Sequence, residues 1–193
     1  MLSTELTVST TDPEKAGKGG KGGGLNITNA QFIADVFSTV PEAAFVAVCS
    51  KAGDPGTRGW LACRANDVIE RISPENNNYV GCSSFYPGDD GSFKARKGLF
   101  AACHFLMLDD LGTKVPFDRL EAFELSWLIE TSPNNYQGGI ILTDPITEGA
   151  VAIRLLNAVI NSRLCDPGAT GPLSRWARLP VAINGKPKYA NEE

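Results

Sequence analysis

The stretch HFLMLDDLGTK, His104 to Lys114, constrains this chain more than any other. It closes the apolar run LFAACHFLML, whose length and lack of alternation suit a central strand buried on both faces. The run ends in two adjacent carboxylates, Asp109 and Asp110. Side chains on a regular strand alternate faces, so neighbours should diverge. Leu111 and Gly112 allow the backbone to turn, and there both carboxylates can converge on one cation. The alternative is a solvated turn in which the aspartates accept from nearby backbone N–H groups.

Around that strand the periods mix. NAQFIADVFSTV sets Phe32, Ile33, Val36 and Phe37 on one helical face. AFVAVCS and NYVGCSSFY read as strands, ANDVIERIS as a short helix, and PGDDGSFKARKG as a long exposed loop. PFDRLEAF predicts a helix with Pro116 in its first turn. LSWLIETS and YQGGIILT read as strands joined by the turn PNN. ITEGAVAIRLLNAVINSRL is the longest helical pattern, with Val151, Ile153, Leu155, Leu156, Val159 and Ile160 apolar, and WARLPVAIN reads as a closing strand. No strict strand–helix–strand rhythm emerges, which favours an α+β fold over a doubly wound sheet. Residues 1–24, with PEKAGKGGKGGG, have nothing to bury and read as a flexible tail. Its Lys15, Lys18 and Lys21 are expected to be solvated rather than bound to phosphates. Residues 25–193 then form the folded domain.

At 193 residues and 42% hydrophobic the chain can bury one sizeable core. Its net charge of -4 gives no global attraction to polyanions, so any nucleic-acid contact must be a local basic patch or run through metal ions. The five cysteines include no CxxC pair and read as buried thiols of a reducing compartment. No apolar run is long enough to cross a bilayer and no signal-peptide core follows Met1, which places the expected location in the cytoplasm without membrane contact. A single histidine, His104, excludes a histidine-rich metal centre and a two-histidine nickase site. It reads as a core histidine. GKGGKGGG lacks the spacing of a phosphate loop, and no G-x-S-x-G elbow is present.

Three further segments carry polar chemistry. ETSPNNYQ crowds Thr131, Ser132, Asn134, Asn135 and Gln137 between two strands, as a tight turn or as donors to a triphosphate or sugar. CDPGATGPLSRWARLPVAINGKPKY opens on Asp166 and returns Arg175, Arg178, Lys186 and Lys188, as a solvated basic face or as a metal-and-phosphate site. FKARKG places Lys94, Arg96 and Lys97 in the loop that feeds the central strand, either solvent-facing or available to a template.

In this order, HFLMLDDLGTKV, then ETSPNNYQGGIIL, then CDPG with SRWARLPVAINGKPKY resembles the RepB-like primases of plasmids, phages and integrated elements. These are members of the archaeo-eukaryotic primase superfamily, which includes primase-polymerases. The resemblance runs from Phe93 to Tyr189. It implies an RRM-like antiparallel sheet carrying catalytic acids, packed with an amino-terminal α/β portion. It assigns Asp109, Asp110 and Asp166 to catalysis and to Mg2+ or Mn2+, and Ser132, Asn135, Gln137, Arg178, Asn184 and Lys186 to the nucleotide. Lys94, Arg96 and Lys97 fall to DNA. The implied activity is primer synthesis on a single-stranded DNA template from nucleoside triphosphates by two-metal nucleotidyl transfer, with a helicase domain or subunit as partner. Two departures stand out: many relatives separate the first acids by one position, and many carry a histidine where this chain has Gln137. A single-stranded DNA-binding module of weak or no activity and a metal-dependent nuclease are the alternatives.

Overall fold

In a computed structural model of the protein, residues 27–57, 59–166 and 172–187 are described; the expected tail over residues 1–24 lies outside them. Thr28 caps the first helix, α1 (Asn29–Val36), accepting from the Gln31 N–H at 3.1 Å. Strand β1 (Phe45–Lys51) follows, then a two-residue β2 (Cys63–Arg64), a single-turn α2 (Ala65–Val68) and β3 (Asn77–Phe85). The long central strand is β4 (Phe100–Leu111), and β5 (Trp127–Ser132) and β6 (Asn135–Ile146) form a hairpin. Helix α3 (Gly149–Asn161) and a short β7 (Trp176–Arg178) complete the described elements. Every pairing between these strands is antiparallel, in the order β2-β1-β3-β4-β6-β5, with β7 also on β3. The α+β expectation is met, and the amino-terminal portion joins the acid-bearing part edge to edge.

β4 is buried on both faces, as its unbroken apolar run requires. Phe105 and Met107 pack with Phe32, Ile33 and Val36 of α1, with Phe37 just after it, and with Trp127. Cys103 and Leu106 pack beneath Ala152 and Leu156 of α3, and Leu108 joins Leu111 and Cys165. Four cysteines are buried, Cys63 is half-buried, and all five are free thiols.

The central break in the sheet positions the site. β1 occupies one edge of β3 along its whole length, so β4 and β7 must share the other edge. β4 pairs there only through Ala102, Cys103 and Phe100, against Ser84, Ser83 and Phe85. Beyond Cys103 it follows β6 instead, and β7 takes its place beside Tyr79, Val80 and Gly81. The residues just before and within β7 are thereby delivered beside the far end of β4.

Two expectations fail locally. PFDRLEAF makes only a 3-10 turn, Phe117–Leu120, of which Leu120 alone is buried, while Phe117 and Phe123 are exposed. A segment with one buried anchor has too little packing to hold a longer helix. WARLPVAIN is a strand only to Arg178; Pro180 has no N–H for a ladder, and the chain continues as an irregular strap. In α3 the buried positions are Ala152 and Leu156, whereas Val151 is exposed.

Candidate active site

A β-bulge answers how adjacent aspartates meet. Leu108 pairs with Gly138 and Leu111 with Tyr136, so β4 holds one more residue than β6 between those pairs. Asp110 absorbs the extra residue at φ 57, a left-handed conformation that aspartate tolerates better than most side chains. Glycine would meet it at less strain; aspartate keeps a carboxylate there. The partners show that both carboxylates emerge on one face. Gln137 Nε2 donates to Asp109 Oδ1 at 3.0 Å, and Asn135 Nδ2 donates to Asp110 Oδ1 at 3.1 Å. Residues two apart on β6 share a face, which is the α1 side of the sheet.

Both amides are held in turn. Gln137 Oε1 accepts from the Arg178 backbone N–H at 2.9 Å, so its side chain ties β6 and Asp109 to β7. Asn135 Oδ1 accepts from Thr113 Oγ1 at 2.6 Å, and Thr131 Oγ1 donates to the Asn135 carbonyl at 3.1 Å.

Basic groups close the cluster. Arg175, with a side chain only 7% exposed, brings Nη2 to 3.7 Å from Asp109 Oδ2 and donates from Nη1 to Cys165 Sγ at 3.4 Å. Lys114 Nζ lies 2.8 Å from Asp110 Oδ2 and 2.9 Å from Asp166 Oδ2. Hydrogen bonds to Asp110 and then Asp166 hold the Lys114 ammonium above its usual pKa, so it is charged at neutral pH. Asp166 follows the buried Cys165, whose thiol donates to the Met107 carbonyl at 3.7 Å and anchors the post-helix segment against β4. The carboxylate after α3 thus comes to the same ammonium as the carboxylate of the bulge.

Three observations test the fit of a divalent cation. The clustered acids offer only oxygen, the donor that magnesium and manganese take. A side-chain cation already stands between Asp110 and Asp166. Among the described residues, no group of three His, Cys, Asp or Glu side chains closes to metal-ligand spacing.

No protein-family model matches the sequence, and no curated protein matches it. Solved structures do share its fold. The AEP domain of the cyanophage S-2L primase-polymerase superposes with a TM-score of 0.52 at 11% identity, over 77% of this chain and 78% of that one. The catalytic domain of primase RepB′, solved in complex with initiator DNA, superposes with a TM-score of 0.50 at 19% identity, over 84% and 81%. This chain has the archaeo-eukaryotic primase fold.

On that fold the sequence-predicted residues divide into three groups. Asp109, Asp110, Asp166, Asn135 and Gln137 meet in one hydrogen-bonded or ion-paired cluster. Ser132 and Asn184 stand at its rim. Ser132 faces Asn135 across the β5–β6 turn, and Asn184 Nδ2 donates to the Thr131 carbonyl at 2.6 Å. Arg178 reaches the cluster through its backbone alone. Its buried guanidinium donates to Tyr79 Oη at 3.2 Å and to the Ile183 carbonyl. Lys186 is exposed on the strap.

Lys94, Arg96 and Lys97 precede the opposite end of β4, roughly 30 Å from Asp109 along an extended strand. They are therefore not beside the acids of this primase fold. Lys94 is paired with Asp90 at 3.2 Å. Sequence reasoning gave no role to Thr113 or Lys114. Lys114 was findable in DDLGTK, because a tight turn places a residue four positions on over the carboxylate.

Proposed function

We propose that this chain is a primase-polymerase catalytic domain that makes primers on single-stranded DNA from nucleoside triphosphates. The observation that carries this reading is the meeting of Asp110 and Asp166 on one ammonium, beside Asp109, on an archaeo-eukaryotic primase fold. Asp109, Asp110 and Asp166 would hold Mg2+ or Mn2+. When bound, such ions supply Lewis-acid stabilisation of the attacking 3′-oxygen and the pyrophosphate leaving group.

The protein's own groups orient and neutralise. Gln137 and Asn135 fix one oxygen each of Asp109 and Asp110, leaving the second oxygen to face a cation. Arg175 presents a buried guanidinium, a shape suited to phosphate oxygens. Ser132, Asn184 and Lys186 line the side from which a nucleotide enters. The RepB′ domain was solved with initiator DNA, which supports a DNA partner for the same fold. Lys94, Arg96 and Lys97 are proposed to track template backbone away from the reacting end. A helicase domain or subunit is the proposed replication partner.

Primer synthesis and extension on a single-stranded template, with labelled nucleoside triphosphates and Mg2+ or Mn2+, test the reading. Losing a metal ligand forfeits several kcal/mol of charge stabilisation, so Asp109→Ala should lower incorporation roughly a hundredfold or more. Incorporation unchanged by that substitution defeats the assignment. Shortening of labelled DNA with metal and no nucleotides supports a nuclease instead. One observation favours a binding module: the Gln137 amide already serves Asp109 and the Arg178 N–H, which leaves little of it for a phosphate. Template binding without any incorporation would establish that second reading.

A further inference from the structure

Lys114 has no part in the roles assigned above, yet the backbone has built its position. The carbonyl of Asp110 accepts from the N–H groups of Thr113 at 3.4 Å, Lys114 at 3.0 Å and Val115 at 3.0 Å, and Gly112 N–H donates to the Val115 carbonyl at 2.8 Å. Gly112 sits at φ 82, where a Cβ would lie 2.7 Å from the Asn134 carbonyl oxygen. The turn after the bulge is therefore wound back on Asp110, and it carries the lysine stem over that carboxylate. The ammonium then spans to Asp166, which arrives from the other side of the sheet.

Resting on the proposed metal-dependent function, we propose that Lys114 is a resident counter-cation that a divalent ion must displace from Asp110 and Asp166. Magnesium binds oxygen at about 2.1 Å, whereas the ammonium nitrogen holds these oxygens at 2.8 and 2.9 Å. Nitrogen and ion compete for one seat, and the acids close on the ion only after the lysine leaves. This accounts for the lack of a ready three-acid ligand set among the described residues. Departure is cheap because the side chain is 60% exposed, and exposed ion pairs bind weakly. The released ammonium, still tethered at the rim, becomes a point charge for triphosphate oxygens. Between metal-free and metal-bound states, one positive charge moves off the carboxylates as two arrive.

Mn2+ titration followed by the EPR signal of the free ion tests this without any catalytic readout. The proteins are the wild type, Lys114→Met, and Arg154→Gln as a control for losing one positive charge at an exposed position of α3. Lys114→Met should bind Mn2+ roughly three- to tenfold more tightly than wild type, with Arg154→Gln unchanged. Equal or weaker binding by Lys114→Met overturns the displacement role while leaving the metal-dependent function standing. An equal gain in both variants also overturns it, since bulk charge would then suffice. Absence of saturable Mn2+ binding in all three proteins overturns both this role and the metal-dependent function. Thermal melting of Lys114→Met checks that its fold is intact.

Discussion

His104 occupies the middle of β4 with its ring against Phe37, centroids 4.9 Å apart, and Nε2 paired with Ser84 Oγ at 2.9 Å. Among the described residues no carboxylate compensates its charge, and burial pulls its pKa from 6.5 to about 4. The unfolded chain therefore takes up this proton first as the medium acidifies. The contribution is intact above pH 6.5 and lost progressively down to about pH 4, by roughly 3 kcal/mol in all. Urea unfolding at intervals from pH 7 to pH 4 should show that loss on top of the carboxylate titrations. His104→Gln, which can keep the Ser84 hydrogen bond, should flatten the difference. Parallel pH profiles for the two proteins would contradict the assignment. The neighbouring acids illustrate the opposite use of a special position. Asp110 accepts a left-handed backbone so that its carboxylate can stand beside that of Asp109, a convergence that strand alternation forbids.

The β5–β6 hairpin gives the acids their amide partners, and Gly139 sets how closely it packs. A Cβ on Gly139 would fall 2.2 Å from Cε2 of Trp127, the cross-strand partner whose indole lies over that position. Trp127 is also packed edge-on to Phe32 and Phe105, both with centroids at 5.5 Å, so it has nowhere to retreat. Gly139→Ala should destabilise by about 1–3 kcal/mol through overpacking, read as a lower urea midpoint. Gly98→Ala, where a Cβ meets open space, should change stability far less. Equal effects would show that Trp127 repacks freely. The strands were readable because long apolar or alternating runs leave few other choices, as with LFAACHFLML and the turn PNN. The bulge was not, because register depends on the partner strand and leaves no mark in β4 alone. The expected helix at PFDRLEAF failed for a related reason: only Leu120 is buried there, and Phe117 sets its ring against Tyr136, centroids 5.5 Å apart, while staying exposed. Of the site, the three acids and two amides were visible in their motifs. Lys114 and Arg175 stand in those motifs too, but which carboxylates they meet was not legible, because the Lys114–Asp166 and Arg175–Asp109 pairs form only through the fold.

What unites the amino-terminal portion with the acid-bearing hairpin is the strap after β7, held by asparagines. Leu179 N–H donates to the Asn78 carbonyl at 2.9 Å. The Val181 carbonyl accepts from Asn29 Nδ2 and from Asn78 Nδ2, each at 2.9 Å, and its N–H donates to Asn29 Oδ1 at 2.8 Å. Gly185 N–H donates to Asn77 Oδ1 at 2.9 Å, and between them Asn184 reaches the Thr131 carbonyl on β5. Asn77 and Asn78 are both fully buried. A buried amide is stable only while its partners are present, so each asparagine fixes the strap's path more sharply than an apolar residue would. Asn78 is the keystone. Its Nδ2 donates also to the Ser73 carbonyl at 2.8 Å, and its Oδ1 accepts from Ser50 Oγ at 2.7 Å. Asn78→Ala orphans several of these groups together and should cost about 1–3 kcal/mol or more. The loss has a direction as well as a size. Amide exchange at Val181, Ile183 and Gly185 should accelerate more than exchange in the middle of β4, because those amides sit on the strap while β4 keeps its pairing with β6. Nucleoside triphosphate binding should weaken with it, since Asn184 is held at the site's rim by the same strap. Uniform acceleration across the sheet would mean that Asn78 supports the fold as a whole and that the rim of the site is placed by other contacts.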